Sequence, residues 1–287
     1  MLQPQSSLGV EGSPAEILAS TKPSEFLSAW LRNAQLLPAA ARETFLDYYH
    51  NFRDLRSDRL RWAYDRQLQE ISQLVAERPG LRVLEVGAGC GTESLWFAKL
   101  GASVTSIDIK DDRLEVARAR QAVLEDLAGR KIDCRFERKS LLEMPGTEQF
   151  DLVWVQQTFH HLEPRAGCVT AIVRLLRPGG AVVISEANAW NPFIQLMALR
   201  IRGFKTITYY EDADGNRIHY GNERILPAAA LVQWFRRAGL VDPKVSYYRV
   251  LPSHPAFDRL AGIERRMGSW PLKPLFTHYN FVARRPL

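Results

Sequence analysis

Three glycines at alternate positions, Gly87, Gly89 and Gly91, constrain this 287-residue chain more than any other feature. They follow directly on a short apolar run, Val83 to Val86, which carries Glu85 inside it, and a helical pattern begins near Glu93. Glycine accepts positive φ and lets other groups approach the backbone closely. A buried strand that breaks into such a turn and then opens a helix brings backbone N–H groups toward a ligand.

The flanking sequence agrees with an α/β fold. Residues 24–78 read as helices, with Phe26, Trp30 and Leu31 on one turn pattern and Leu60, Tyr64, Leu68, Ile71 and Val75 as a longer stripe. Pro79-Gly80 ends that stripe. Strand patterns then occur at 83–86, 104–109, 133–138, 150–155 and 181–185, with helical patterns at 93–100, 113–127 and 166–176. The alternation predicts a parallel sheet with helices on both faces. Residues 187–223 interrupt it with a helix at 192–202 and two strand-like runs around Asp214-Gly215, a hairpin signal. A helix at 227–238, a strand at 244–251, a helix near 255–266 and a strand at 277–283 complete the chain. The expectation is a Rossmann-like, seven-stranded, mostly parallel sheet. Residues 1–20 are expected as a disordered tail, 21–78 as a helical cap, and 79–287 as the core, with a lid insert at about 187–223 after strand five.

Composition narrows the class. With 46% hydrophobic and 24% charged residues the chain suits a globular protein. No apolar run approaches the roughly 18 residues of a membrane span. The polar first twenty residues lack the features of a signal peptide, so a cytoplasmic location is expected. Cys90, Cys134 and Cys168 are odd in number and far apart, which fits a reducing compartment and argues against a disulfide frame or a zinc site. The net charge of +6 is spread among acids, as in Arg53, Asp54, Arg56, Asp58, Arg59 and Arg61, which reads as a solvated face. A nucleic-acid partner is therefore not favoured. Asp212, Asp214, Asn216 and Glu223 sit at calcium-loop spacing, but Arg217 stands where the loop requires glycine. That stretch reads as a polar hairpin, and no metal is expected.

Three ligands compete for the glycine turn. A P-loop ends in Gly-Lys-Ser/Thr, whereas this turn reads Gly91-Thr92 without a lysine. The dinucleotide fingerprint places its third glycine where Thr92 stands. The pattern E-x-G-x-G-x-G from Glu85 to Gly91 instead resembles motif I of the class I S-adenosylmethionine-dependent methyltransferases. Asp108, 21 residues after Gly87 at the end of the second strand, matches the family's ribose-binding acid. The segment Phe150 to Leu162, FDLVWVQQTFHHL, resembles the family's fourth strand and His-His-Leu, and Leu176-Arg-Pro-Gly-Gly180 its turn before strand five. The two late strands also fit. The resemblance runs from Leu81 to the C-terminus.

The resemblance implies S-adenosylmethionine as cofactor, held by Glu85, Gly87, Ala88, Gly89, Gly91, Asp108, Ile109, Gln156 and His161. After strand three the family often has an acid near the adenine; here Arg138-Lys-Ser140-Leu141 leaves that end to Ser140 and Leu141. In the cap, Tyr49 or His50 facing the methyl group and Arg53 pairing the cofactor carboxylate compete with a plain aromatic helix face packed on the core.

His160 and His161 are the candidate general bases, at the sheet edge where ligands bind, unless they only pack and cap a loop. Glu186, Asn188, Tyr209 and Tyr210 are the candidate acceptor contacts, against an Asx-stabilised turn at 186–191. The insert helix carries Phe193, Ile194, Leu196, Met197 and Leu199 with Arg200 and Arg202, which suits an aromatic or lipid-like acceptor and peripheral contact with a membrane surface. The function expected is methylation of a small-molecule acceptor, first at oxygen. Nitrogen or carbon, RNA methylation, and cofactor binding without catalysis are the alternatives.

Overall fold

The computed structural model describes residues 12–50, 55, 57–147, 149–211, 215, 217–251, 255–267 and 271–287. Among them lie nine strands: β1 (Arg82–Val86), β2 (Ser103–Asp108), β3 (Cys134–Arg138), β4 (Phe150–Gln156), β5 (Leu176–Ala187), β6 (Ile207–Glu211), β7 (Arg217–Gly221), β8 (Val241–Tyr248) and β9 (His278–Arg284). Seven form one sheet in the order β3-β2-β1-β4-β5-β9-β8, while β6 and β7 make a separate antiparallel hairpin. β1 to β5 run parallel, and β9 runs against both of its neighbours. From β1 the chain first builds outward through β2 and β3, then returns to place β4 on the other side. Ligands bind at the carboxyl ends of the strands beside such a reversal.

Alternation along each strand feeds two cores. Val83, Leu152, Trp154 and Val183 face one side, with α2 (Pro23–Arg32), α3 (Ala39–Tyr48), α4 (Asp58–Glu77), α5 (Thr92–Lys99) and α6 (Asp111–Ala128) packed there. Leu84, Val153, Val155 and Ile184 face the other, against α7 (Arg165–Leu175) and α9 (Ala228–Arg237). The predicted stripe of α4 is buried throughout: Leu60, Tyr64, Leu68, Ile71 and Val75. The N-terminal helices therefore share one hydrophobic core with the sheet rather than forming their own. Cys90, Cys134 and Cys168 are free and buried. Among the described residues no helix is long and apolar enough to cross a membrane.

Three sequence expectations need correction. The tail expected over 1–20 lies outside the described residues up to 11, but α1 (Ala15–Ala19) follows, with Ile17 fully buried against the helical core. The strand expected at 244–251 is β8, which begins earlier and stops at Tyr248. A register shift between Val241 and Lys244, around the positive φ of Asp242, and a second positive φ at Arg249 set those limits. Arg59, read as part of a solvated face, is buried and pairs at 3.0 Å with Glu264, also buried, on α10 (Ala261–Met267). Glu264 further accepts the backbone N–H groups of Val250 and Leu251, both at 2.7 Å, so this pair ties α4 to the chain after β8.

Candidate active site

A cavity of about 450 Å³ opens at the carboxyl ends of β1, β2 and β4. One wall is acidic. Glu85, in β1, accepts a hydrogen bond from Ser94 on α5, and Ser94 meets Ser106 of β2 at 2.6 Å. Glu93, in the first turn of α5, accepts from the Tyr64 hydroxyl of α4. Burial, followed by the charge of Glu93, pushes the Glu85 carboxyl well up, and burial likewise raises Glu93. Asp108, at the end of β2, accepts the Gly89 N–H at 2.8 Å on one oxygen and the Lys110 N–H at 2.9 Å on the other. It fixes the glycine turn while still facing the cavity.

All three glycines of the turn meet side chains that leave no room for a Cβ. At Gly87, with φ +83°, a Cβ would come within 2.3 Å of the Thr158 hydroxyl. At Gly89, with φ +50°, it would come within 2.4 Å of the Tyr48 hydroxyl. Tyr48 thus covers Gly89 from the cavity side. Beside it, the Tyr49 hydroxyl hydrogen-bonds that of Thr92 at 2.6 Å. Arg120 of α6 is fully buried and donates to the Cys90 carbonyl and the Thr92 hydroxyl, each at 2.7 Å. Its guanidinium lies 4.7 Å from the ring centroids of Trp30 and Phe45. This cation–π stacking joins the N-terminal helices to the glycine turn.

The opposite wall holds His161 with Ile218, His219 and Tyr220 of β7. The His161 Nδ1 donates to the Gly221 carbonyl at 2.7 Å, and its ring stacks on Tyr220 with centroids 4.3 Å apart. Burial, then the neighbouring His160, pushes His161 down to about 4. His160 lies behind it, buried, with Nδ1 2.8 Å from a Glu186 oxygen. Burial alone would lower His160, but the charge and hydrogen bond of Glu186 outweigh it and the net shift is upward.

Of the residues expected to bind cofactor, Glu85, Gly87, Ala88, Asp108, Ile109, Ser140, Leu141, Gln156, His161 and Tyr49 line the cavity. Gly89 stands behind Tyr48, and Gly91 packs against Ala117 and Phe136, where a Cβ would come within 2.7 Å of Ala117. The Ser140 hydroxyl accepts the Leu142 N–H at 3.3 Å, capping the turn at 141–143. Arg53 and the side chain of Tyr210 lie outside the described residues.

The acceptor expectations change more. The amide of Asn188 donates to the carbonyls of Lys273 and Phe276 and its oxygen accepts the Trp190 N–H, so it builds the turn. Glu186 serves His160. Tyr209 is half-exposed beneath the Arg217 guanidinium, on the strand of the hairpin away from the cavity. The helix of the insert, α8 (Pro192–Arg202), buries Ile194 and Ala198 and leaves Phe193, Leu196, Met197 and Ile201 exposed; it does not line the cavity, whereas β7 does. Sequence reasoning missed Tyr48, Glu93, Arg113, Thr158, Tyr220 and Glu223. Only Tyr48, inside the aromatic run of α3, and Glu223, in the calcium-like spacing, carried any local signal.

A family model described as "Methyltransferase domain" matches residues 84–184. The ubiquinone biosynthesis O-methyltransferase of Xanthomonas euvesicatoria pv. vesicatoria is 34% identical over 172 residues, 59% of this chain and 66% of that protein. Its namesake from Pseudomonas aeruginosa is 38% identical over 153 residues, 48% and 62% of the two chains. Methyltransferase GfsG of Streptomyces halstedii is 28% identical over 155 residues, 53% and 54%. The matches thus span between 54% and 66% of the length of these relatives. Among solved structures, the phosphoethanolamine N-methyltransferase 2 of Haemonchus contortus, in complex with S-adenosyl-L-methionine, superposes with a TM-score of 0.51 at 14% identity, covering 78% of this chain and 53% of that one. The Bacillus YcgJ protein does so with 0.53 at 14% identity, covering 77% and 99%. Residues 84–184 thus match a methyltransferase domain, in a fold shared with S-adenosylmethionine-dependent methyltransferases.

The cavity fits S-adenosylmethionine. The Gln156 Oε1 and Gln157 Nε2 are buried with no hydrogen-bond partner, and both residues line the cavity. An ammonium and a carboxylate are the groups such atoms would take. Glu85 and Glu93, held up by burial, are relieved by a cationic ligand. Asp108 retains free lone pairs for hydroxyl donors beyond its two backbone bonds.

Proposed function

We propose that this methyltransferase methylates a hydroxyl oxygen of a small-molecule acceptor, held between the glycine turn and the β6–β7 hairpin. The single observation that carries this reading is one cavity with a cofactor-like acidic wall facing a histidine wall. S-adenosylmethionine supplies an activated methyl group there. Asp108, Gln156 and the turn at Gly87 hold and orient it, with Ile109, Ser140 and Leu141 at the adenine end and Tyr48 and Tyr49 excluding water. Alignment of donor and acceptor supplies most of the rate.

His161 supports oxygen as the target. Its Nδ1–H is committed to Gly221, so Nε2 presents a lone pair, and its lowered pKa keeps the ring neutral. It accepts the hydrogen bond of the acceptor hydroxyl and takes its proton as the oxygen is alkylated. The Glu186–His160 pair behind it positions the ring. The names of the Xanthomonas and Pseudomonas relatives also favour oxygen. The exposed Phe193, Leu196, Met197 and Ile201 beside Arg200 and Arg202 favour an aromatic, lipid-like acceptor met at a membrane surface, with the hairpin as the lid. The free thiols suit the cytoplasm.

The test is calorimetry with S-adenosylhomocysteine, followed by turnover of methyl-labelled cofactor with a panel of phenols, amines and activated carbon acids. Binding near equimolar stoichiometry and label recovered as an aryl methyl ether are expected. Absence of binding removes the reading, and label on nitrogen or carbon reassigns the atom.

A further inference from the structure

We propose that His160, His161 and Glu223 form a binding site for a divalent first-row transition-metal ion on the acceptor wall. One ligand atom from each of the three lies within 4.8 Å of the others. The His160 Nε2 is 3.9 Å from one Glu223 oxygen, and the His161 Nε2 is 4.0 Å from the other. These separations exceed a hydrogen bond, which runs to about 3.2 Å. Two bonds of about 2.0–2.2 Å to a shared ion span them.

The imidazoles are already oriented for this role. Each Nδ1 is committed: His160 to Glu186 at 2.8 Å, His161 to the Gly221 carbonyl at 2.7 Å. Donation from Nδ1 turns the Nε2 lone pairs of both rings toward the Glu223 carboxylate. A carboxylate or backbone carbonyl on the far nitrogen is what fixes the ring of a metal-bound histidine. With both rings neutral, three ligand atoms then converge on one point, an arrangement that an ion satisfies.

The hairpin delivers the third ligand. Gly221 packs so closely on the turn before it that a Cβ would lie 2.2 Å from the His160 carbonyl, and Tyr220 bridges to Leu162. Two residues on, Glu223 has φ +47°, a left-handed conformation that a glutamate adopts only under constraint. Two imidazoles and one carboxylate suit zinc, cobalt, nickel, iron or manganese better than calcium or magnesium. Three protein ligands leave coordination positions open, and His161 turns them to the cavity. Binding of the ion stands on this geometry alone. Its role rests on the methyl-transfer reading: with the ion on Nε2, His161 no longer takes the proton, and the ion instead lowers the pKa of the acceptor hydroxyl, which loses its proton to solvent.

The experiment uses the full, tag-free chain, stripped with chelator and titrated with Zn²⁺ by calorimetry and with Co²⁺ by visible absorption. One equivalent of Zn²⁺ and a Co²⁺ ligand-field band are expected. Glu223→Gln and His161→Asn should each weaken Zn²⁺ binding at least tenfold. Glu186→Gln, acting through His160, should weaken it by about 10–100-fold. Near-ultraviolet circular dichroism confirms that each variant is folded, and Glu223→Gln, nearly isosteric, serves if His161→Asn is not. No stoichiometric binding, or undiminished affinity in folded Glu223→Gln, overturns the site. S-adenosylhomocysteine titrated into the same samples separates the two readings. Retained cofactor binding without metal binding sinks only the ion, whereas lost cofactor binding in the native chain sinks the methyl-transfer reading.

Discussion

The two walls of the cavity are built by different means. The acidic wall comes from the ends of neighbouring parallel strands: Glu85 on β1, the turn at Gly87, and Asp108 on β2 fall within one strand–helix–strand unit. Its geometry follows from the backbone. The histidine wall gathers His160 and His161, Glu186 from the end of β5, and the hairpin residues 218–223. It exists only because the hairpin docks on the turn after β4. The first wall is fixed by regular structure, whereas the second depends on a loop-borne insert docking against it.

The sharpest way to break this division is Asp108→Ala. It removes the acceptor of the Gly89 and Lys110 N–H bonds as well as a cavity carboxylate. Hydrogen bonds to a charged group contribute about 1.5–3 kcal/mol each, so affinity for S-adenosylhomocysteine should fall roughly 100-fold or more by calorimetry. Glu186→Gln should do the reverse, lowering turnover by about 10²-fold, as for loss of general-base function, with cofactor affinity within about twofold. If Glu186→Gln weakened cofactor as Asp108→Ala does, the walls would not be separate units.

Smaller effects sharpen the picture. Tyr48→Ala uncovers Gly89 and should weaken cofactor about 3–10-fold, with faster amide exchange at the turn, if the aromatic stack adds no more than about 1–1.5 kcal/mol. Acid should loosen the histidine wall first. His161 and His278 are held neutral by burial, to about 4 and about 3. As pH falls from about 6.5 toward 4, the unfolded chain takes up protons that these rings refuse, so stability drops across that window. His160, raised by Glu186, acts oppositely, its stabilisation being full below about 6.5 and lost as pH rises through its folded value. A melting temperature that falls on acidification, measured by calorimetric scanning, is expected; a rise would mean that His160 dominates. The smallest effect is that of Ser140→Ala, below about twofold on cofactor affinity, because its hydroxyl caps a turn.

The same contrast governs what could be read from the sequence. Strand periodicity and the glycine turn announced β1 to β5 and their cavity residues, because each signal sits within a few residues of the structure it makes. Arg59 misled, and Arg120 carried no signal, for the opposite reason. Each lies on a polar stretch of helix, and only a partner far away, Glu264 for one and Trp30 for the other, explains its burial. Tyr48 and Tyr49 are adjacent, and nothing local distinguishes the ring over Gly89 from the ring hydrogen-bonded to Thr92. Glu223 meets His160 and His161 across more than sixty residues, a juxtaposition set by hairpin docking that no spacing encodes.

The buried thiols turn this protein into its own clock. Cys90 sits in the glycine turn, Cys134 on β3 and Cys168 on α7, and burial pushes all three thiols up, Cys90 and Cys168 to about 12. A thiol that is both covered and protonated does not meet an alkylating reagent in the native state. Each labelling event therefore counts one opening of the segment around it, and the ratio of Cys90 to Cys168 labelling times the breathing of the ligand turn against that of the opposite face, without any probe being introduced.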